Sequence, residues 1–358
     1  MIEDRVKKFA KILVDYSGFV KKGEKVMISG ETHEQELLKE IYKLCILKGA
    51  FPSLQVGIPG LTHFFYTHAN KKQLTKFPEA YWNEIRKTKK YIGIGAPLNT
   101  REMTNVDPGK MVMRSKIVKR IGDYVVNSKP KIYRVTTDFP TNELAMDAEM
   151  SLDEYEDFFY GACFLDWKAM SKKLKKMCTT LNRGKVFRIV SKDTDLTMKI
   201  YPKSFIMDDG HENMPGGEVF GAPIKLSTTG HIKFTFPAVR QGVEVNNIYA
   251  EFKNGKCIKA TADKNEKFLN KMLDTDAGAR YIGEIGIGMN PKVTKFTKNL
   301  LFDEKIINTI HLAFGMAYKE CGHPNDSALH WDIVKDLRKD GKVFLDGKLV
   351  FKNGKWLI

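Results

Sequence analysis

Hydrophobic and polar positions in the first half of the chain alternate between strand-like and helix-like patterns. Short apolar runs bounded by turn residues predict buried strands at residues 25–30, 51–57, 91–98 and 131–137. Helical patterns separate these runs, and the clearest are 34–48, which ends before Gly49, and 108–126, which has a proline at its start. Strand–helix alternation of this kind predicts an α/β domain with a mostly parallel, doubly wound sheet.

Two further helices are predicted before the pattern changes. Residues 151–163 begin with a serine cap followed by glutamates, and a lysine-rich helix follows near 172–181. The lysines of the second helix invite a nucleic-acid interpretation. Their spacing also fits the solvated face of a helix whose other side holds Leu174 and Met177.

From Lys185 onward the chain changes to short β-rich runs with turn residues between them. The predicted strands are 185–191, 196–201, 232–236 and 248–253, and 265–273 is predicted to be a helix. Asn254-Gly255 and Asn353-Gly354 are hairpin signals. We therefore expect an α+β C-terminal domain rich in antiparallel strands. The boundary is expected near Arg183-Gly184, so that residues 1–183 form the N-terminal domain and 184–358 the C-terminal domain.

Composition and charge limit the class of protein, its binding partners and its cellular compartment. Of the 358 residues, 42% are hydrophobic and 28% are charged, which is typical of a globular protein. The formal net charge of +16 could attract nucleic acid, an anionic membrane or acidic substrates, but the excess is mostly lysine spread along the chain. No segment approaches the ~18 uninterrupted apolar residues of a membrane span. Five scattered cysteines without paired spacing favour a reducing compartment. We expect a cytoplasmic protein that binds neither nucleic acid nor membrane.

Candidate metal ligands are concentrated in the second half of the chain. Glu218 follows Gly216-Gly217, a bend at which the backbone can approach a ligand closely. Glu284 lies among apolar and glycine neighbours, where a lone carboxylate is costly to bury unless it is paired or bound to a metal. His311 lies in a similar apolar run. Taken alone, each residue is better explained as an ion-paired glutamate or a hydrogen-bonded core histidine.

The unit His330-Trp331-Asp332 is a sharper signal. Residues two apart on a strand share one face, so His330 and Asp332 could bind one ion or two adjacent ions. Tyr318 follows His311 by seven positions, which places both on one face only if the segment is helical. Together these residues supply enough ligands for two metal ions. Mixed oxygen and imidazole ligands suit zinc, cobalt or manganese.

A resemblance to a known family adds to this expectation. Residues 213–223 resemble the signature of the aminopeptidase T-like metallopeptidases, which include the bacterial aminopeptidases T, S and II and the thermophilic-type leucyl aminopeptidases. Further segments resemble the family in its order along the chain: 151–158, 193–196, 274–286, 301–305, 309–315 and 327–332.

The resemblance implies a metal site with the following ligands: Glu218, Glu284, His311, Tyr318, His330 and Asp332. Glu304 also lies in a family motif, as an extra ligand or as a carboxylate beside the ligands. The family further implies a homodimer and a preference for short peptides. The stretch between Tyr318 and His330 is shorter than in the better-known members, which leaves cavity shape and specificity open.

The expected function is therefore that of a metal-dependent aminopeptidase. A water activated by two divalent metal ions would hydrolyse N-terminal residues from short peptides that carry a free N-terminus. Glu284 and Glu304 are the candidates for proton transfer, and Tyr318 is a candidate metal ligand or hydrogen-bond donor to the oxyanion. Asp209 could bind the substrate ammonium, although a turn aspartate is the better explanation. The alternatives are a two-metal phosphoesterase and a basic nucleic-acid-binding protein with a structural metal.

Overall fold

The computed structural model describes residues 2–322 and 325–358. Its helices are α1 (Ile2–Ile12), α2 (Gln35–Leu47), α3 (Leu61–His68), α4 (Lys71–Thr75), α5 (Glu79–Ile85), α6 (Pro108–Asn127), α7 (Asn142–Asp147), α8 (Leu152–Cys163), α9 (Trp167–Leu181), α10 (Glu266–Leu273) and α11 (Leu300–Asp303). Its strands are β1 (Lys25–Glu31), β2 (Phe51–Gly57), β3 (Lys90–Gly95), β4 (Tyr133–Asp138), β5 (Val186–Ser191), β6 (Thr194–Lys199), β7 (Ile206–Asp208), β8 (Asn213–Met214), β9 (Glu218–Gly221), β10 (Thr229–Lys233), β11 (Ala238–Arg240), β12 (Val243–Val245), β13 (Tyr249–Lys253), β14 (Lys256–Thr261), β15 (Ile282–Gly288), β16 (Thr309–Gly315), β17 (His330–Asp336), β18 (Lys342–Leu345), β19 (Lys348–Lys352) and β20 (Lys355–Trp356). Within the described residues, no helix is both long enough and apolar enough to cross a membrane.

The first compact unit contains the residues up to Phe164 together with Gly210–Pro215. Its strands form one sheet in the order β2-β1-β3-β4-β8, and each neighbouring pair is parallel. Consecutive residues Val26, Met27 and Ile28 of β1 are all buried, as expected for a strand that is covered on both faces. The predicted α/β domain with a parallel sheet is confirmed.

The second compact unit contains Leu165–Asp209 and Gly216–Ile358. An eight-stranded antiparallel sheet has the order β14-β13-β10-β6-β5-β18-β19-β20, and a five-stranded antiparallel sheet has the order β17-β16-β15-β9-β7. The two sheets pack together through aromatic side chains, because the rings of Phe314 in β16 and Phe252 in β13 stack with centroids 5.8 Å apart. The expectation of an α+β domain rich in antiparallel strands is confirmed.

Most predicted elements are present, and the differences lie at their ends. The strand predicted at 91–98 ends at Gly95, two residues before Pro97, which has no N–H to donate to a neighbouring strand. The helix predicted near 172–181 begins at Trp167, where the Asp166 side chain accepts a hydrogen bond from the Ala169 N–H. The strand predicted at 232–236 is β10, whose polar first residues pair with β6. Both predicted hairpin turns join antiparallel pairs, β13–β14 and β19–β20.

The division between the units differs from the boundary expected near Arg183-Gly184. Helix α9 packs against β7 and β9 and belongs to the second unit, so the first break falls between Phe164 and Leu165. The chain then supplies β8 to the parallel sheet through Gly210–Pro215. Hydrophobic periodicity does not reveal this excursion, because β8 is only two residues long.

Candidate metal centre

One face of the five-stranded sheet carries most of the predicted ligands. They are Glu218 at the start of β9, Glu284 in β15, His311 in β16, and His330 and Asp332 in β17. Ala313 lies opposite both Glu284 and Asp332 in the strand register, and His311 lies opposite Gly286. Because alternate residues of a strand point to the same side, all of these ligands lie on one face.

The alternate positions of the same strands are apolar and form part of the core. They are Ile285, Ile287, Leu312, Phe314, Trp331 and Ile333, and each is buried. A register slip of one residue would exchange this apolar set with the charged set, so the burial of the apolar face fixes the ligands on the other face.

Small residues leave room for the ligand side chains. Gly286 lies directly opposite His311, and a Cβ atom at Gly286 would overlap the imidazole ring. Gly288 lies opposite Glu218 in the strand register, and a Cβ atom there would overlap the carbonyl oxygen of Ile306. The structure therefore leaves no space for a side chain at Gly286 or at Gly288.

The ligand atoms form two groups that share Glu284. Glu218, Glu284 and His311 offer atoms within 4.8 Å of one another, and so do Glu284, His330 and Asp332. His311 Nε2 lies 3.3 Å from Glu218 Oε2 and 3.3 Å from Glu284 Oε1. His330 Nε2 lies 3.2 Å from Asp332 Oδ2 and 3.8 Å from Glu284 Oε2. The two oxygens of Glu284 therefore face different groups.

His330 is oriented by the backbone. Its Nδ1–H donates a hydrogen bond to the carbonyl oxygen of Met316 at 2.8 Å, because a carbonyl can only accept. In the neutral ring, this bond leaves the Nε2 lone pair for a metal. Tyr318 lies beside the same ring, with centroids 5.2 Å apart, and also contacts the ring of Phe220 at 5.9 Å.

Burial and neighbouring charges shift the pKa values of the cluster. Burial raises the pKa of Glu218 to about 8, although the charge of Lys305 acts in the opposite direction. Burial disfavours the charged forms of His311 and His330, but the nearby carboxylates outweigh it and raise the pKa values to about 9 and about 10. Asp332 is also buried, yet the charge of His330 and its hydrogen bond lower the pKa of Asp332 to about 2. The carboxylates therefore favour the protonated forms of the two histidines. A divalent ion that binds the same groups must compete with these protons.

Several buried ligand atoms make no hydrogen bond within the described part of the chain. These atoms are Glu218 Oε2, Glu284 Oε2, His311 Nδ1 and Asp332 Oδ1, whereas Asp332 Oδ2 faces His330 Nε2 at 3.2 Å. An unpaired buried polar atom costs ~1–3 kcal/mol, so buried polar atoms are normally paired. A divalent cation would satisfy the carboxylate oxygens, and the mixture of oxygen and imidazole donors suits such an ion. The residues present therefore fit a metal centre.

Three further charged residues, Lys305, Glu304 and Asp208, lie near Glu218. Lys305 is fully buried, and its Nζ lies 3.0 Å from Glu218 Oε1 and donates to Glu304 Oε2 at 2.8 Å. Burial raises the pKa of Glu304 in spite of this lysine. Asp208 is buried and lies opposite Glu218 in the register of β7 and β9. Among the described residues, Glu304 lies next to the ligands without belonging to either group.

Comparison with known proteins connects this geometry to a protein family. Residues 2–356 match the family described as Thermophilic metalloprotease (M29). The chain belongs to this family.

Individual relatives of this chain are aminopeptidases by name. Aminopeptidase AmpS of Bacillus subtilis (strain 168) is 32% identical over 195 residues, a match that covers 46% of this chain and 47% of that protein. The chain thus spans about half the length of AmpS in this match. Aminopeptidase 2 of Geobacillus stearothermophilus is 23% identical over an alignment of 413 positions, gaps included, that covers 99% of this chain and 98% of that protein. The solved structure of wild-type AmpT from Thermus thermophilus shares the fold, with a TM-score of 0.85, 20% identity and 100% coverage of both chains.

Two of the predicted site residues, Tyr318 and Asp209, lie outside the strands that carry the ligand groups. Tyr318 lies after the end of β16, the strand that contains His311, so the two residues do not share a helical face, and the ring of Tyr318 lies beside that of His330. Asp209 follows β7 and is a member of neither ligand group in the described chain. The assignment of metal ligands and of catalytic roles stays a prediction.

Two neighbours of the candidate metal centre did not stand out in the sequence. Lys305 lies in the segment 301–305 that resembles the family, but lysines are almost never fully buried unless paired, so its burial is not expected from sequence. The carbonyl oxygen of Met316 has no sequence signal at all, because any residue supplies a carbonyl. Only the paired strands β16 and β17 bring it to His330.

Proposed function

We propose that the protein is a metal-dependent aminopeptidase that removes N-terminal residues from short peptides. The observation that carries the proposal is the pair of ligand groups that share Glu284 on a buried sheet face. Membership in a metalloprotease family supports peptide-bond hydrolysis. Relatives that are named aminopeptidases support cleavage next to a free N-terminus.

The orientation of Glu284 supports two divalent ions rather than one. Its Oε1 faces His311, and its Oε2 faces His330. A carboxylate with its two oxygens directed to different groups can bridge two cations, as in many two-metal hydrolases. Glu218 and His311 would complete the protein ligands of one ion, and His330 and Asp332 those of the other. Zinc, cobalt and manganese all accept such ligands.

The remaining residues support a hydrolytic mechanism. When bound, two divalent ions lower the pKa of a coordinated water and polarise the scissile carbonyl. Glu304 is our candidate for proton transfer, because it belongs to neither ligand group and its side chain is 16% exposed. Glu284 is less suited to that role, since both of its oxygens face ligand groups. Tyr318, next to His330, would bind a metal or donate its phenolic hydrogen to the developing oxyanion.

Hydrolysis of model substrates tests the proposal. Purified protein supplied with zinc, cobalt or manganese is expected to cleave leucine p-nitroanilide and not p-nitrophenyl phosphate. N-acetylation of a peptide that is cleaved should abolish turnover, because the site is proposed to bind the free amine. Equal cleavage of blocked and unblocked peptides would identify an endopeptidase, and cleavage of the phosphate ester alone would identify the phosphoesterase.

A homodimer is part of the proposal, and the surface of the first unit supports it. Phe51, Leu54 and Val56 are exposed on β2, which is an edge strand of the parallel sheet. An open edge with exposed apolar side chains is normally covered by a partner. Light scattering after size exclusion should give a dimer, and Leu54→Lys with Val56→Lys should shift the mass towards the monomer. A wild-type monomer would contradict the assembly.

The cysteines support the expected cytoplasmic setting. All five are free thiols, and four of them are buried. Refolding yields that do not change between reducing and oxidising buffers would argue against a requirement for a reducing compartment.

A further inference from the structure

Lys305 is a fully buried cation to which the proposed reaction gives no role. Its side chain is 0% exposed. Burying an ammonium group is costly unless charges and hydrogen bonds compensate it. The compensation comes from Glu218 Oε1 at 3.0 Å and Glu304 Oε2 at 2.8 Å. Lys305 therefore connects a candidate metal ligand to the candidate proton-transfer residue.

The backbone around Lys305 is fixed against the strand next to Glu218. The Asn290 N–H donates to the Lys305 carbonyl oxygen at 3.1 Å, and the Asn308 N–H donates to the Gly288 carbonyl oxygen at 2.9 Å. Gly288 is the residue of β15 that pairs with Glu218, and a Cβ atom there would overlap the carbonyl oxygen of Ile306. The segment after α11 is therefore held close to Glu218 whatever the side chain at position 305.

We propose that Lys305 is a positioning residue that fixes the carboxylates of Glu218 and Glu304 for metal binding and proton transfer. By donating to Glu218 Oε1, Lys305 keeps Glu218 Oε2 directed at the His311 side of the cluster, where it lies 3.3 Å from His311 Nε2. By donating to Glu304 Oε2, it restricts the same carboxylate that is proposed to move the proton. This inference rests on the proposed two-metal aminopeptidase function.

The two ligand groups should respond differently to the loss of Lys305. Among the candidate ligands in the described residues, Lys305 forms an ion pair with Glu218, which belongs to the group with Glu284 and His311. The ligands His330 and Asp332 of the other group are held by the Met316 carbonyl and by their mutual contact. Loss of the lysine should therefore weaken one ion and leave the other bound.

Metal binding by Lys305→Met provides the test. Metal per chain is measured by mass spectrometry after equilibration in zinc buffers, and each Kd by competition with a chelator. We expect one of the two ions to bind about 10- to 100-fold more weakly, as for other residues that orient metal ligands. We also expect kcat to fall by a larger factor than KM changes.

Lys90→Met is the matched control, because Lys90 is a buried lysine of the first unit whose carboxylate partner is Glu24, at 3.8 Å. The control should keep both ions at wild-type affinity.

A double variant separates positioning from charge balance and guards against misfolding. Lys305→Met with Glu304→Gln removes one positive and one negative charge, so the net charge of the cluster stays as in the wild type. Positioning requires that one ion still binds weakly in this variant, with an unchanged circular dichroism spectrum. Two tight ions in the double variant, or in Lys305→Met, would overturn the role of Lys305. A wild type that binds no ions or cleaves no peptide would instead overturn the proposed function.

Discussion

At the scale of single residues, the site depends on strict alternation between charged and apolar side chains. Within β17, His330 and Asp332 belong to the ligand face, and Trp331 between them is 1% exposed and contacts Phe268. The consequence is that neighbouring substitutions should have separable effects, on metal binding or on packing.

The unit His330-Trp331-Asp332 provides the first prediction at this scale. His330→Ala and Asp332→Ala should each reduce the bound metal and lower kcat by orders of magnitude, because each removes a ligand of the same group. Trp331→Phe should cost ~1–3 kcal/mol of stability through packing and leave metal content unchanged. Metal analysis and denaturant unfolding measure the two effects. Inactivation by the tryptophan change alone would mean that this segment is only a packing element.

Gly286 provides a second prediction at the residue scale. Gly286→Ala should displace the His311 ring, since a Cβ atom there would overlap it, and should therefore weaken metal binding. Gly122→Ala in α6 is the matched control, because a Cβ atom at Gly122 would meet nothing within 4 Å. That change should stabilise the helix by up to ~1 kcal/mol and leave metal content unchanged. Wild-type metal affinity in Gly286→Ala would show that the site tolerates a side chain at this position.

At the scale of elements, a buried carboxyl group lies just after the end of the parallel strand β1. Glu34 follows β1 and is 1% exposed, and its Oε1 accepts a hydrogen bond from the Glu31 N–H at 2.6 Å. Its Oε2 makes no hydrogen bond within the described residues. Burial therefore raises the pKa of Glu34 from 4.5 to about 7. The folded protein binds this proton more tightly than the unfolded chain does.

The raised pKa of Glu34 predicts a pH dependence of stability. A carboxyl group with a raised pKa in the folded state contributes stability below about 4.5, and this contribution is lost as the pH rises through about 7. Glu34→Gln should therefore become more stable relative to the wild type as the pH rises from 5 to 8. Urea unfolding at both pH values measures the difference. Glu36→Gln on α2 is the control, because it makes the same change of side chain at a position that is largely exposed. A pH-independent difference for Glu34→Gln would contradict the assignment.

At the scale of the whole molecule, the metal site is built on a framework that is already hydrogen-bonded. The ligand-bearing strands pair with their neighbours through the backbone, and their apolar face packs against the eight-stranded sheet. A chain of this length buries enough apolar surface to fold without a metal. We therefore expect the metal to be needed for catalysis and not for folding.

Chelation tests this separation of folding from chemistry. Treatment with EDTA should abolish peptide hydrolysis while the far-UV circular dichroism spectrum stays nearly constant, and zinc, cobalt or manganese should restore turnover. The thermal midpoint should fall, because a bound ion stabilises only the folded state. Collapse of the spectrum on chelation would make the metal structural, and full activity without metal would refute the metal assignment.

The sequence by itself determined the local elements and the chemical nature of the site. Periodicity predicted the parallel strands of the first unit and the antiparallel character of the second, because each pattern depends on residues only a few positions apart. The spacing of His330 and Asp332 predicted a shared strand face, and β17 confirms it. The resemblance then led to the family, which the match over residues 2–356 shows.

Only the tertiary structure decided which residues meet. Glu218, Glu284, His311 and Asp332 are distant along the chain, and the antiparallel register alone brings them to one face. The return of Gly210–Pro215 to the first unit, the burial of Lys305 and the bond from His330 to the Met316 carbonyl likewise have no local signal. The physical reason is the same in each case: strand pairing and burial join residues through contacts of long sequence separation, and a local pattern contains no information about such partners.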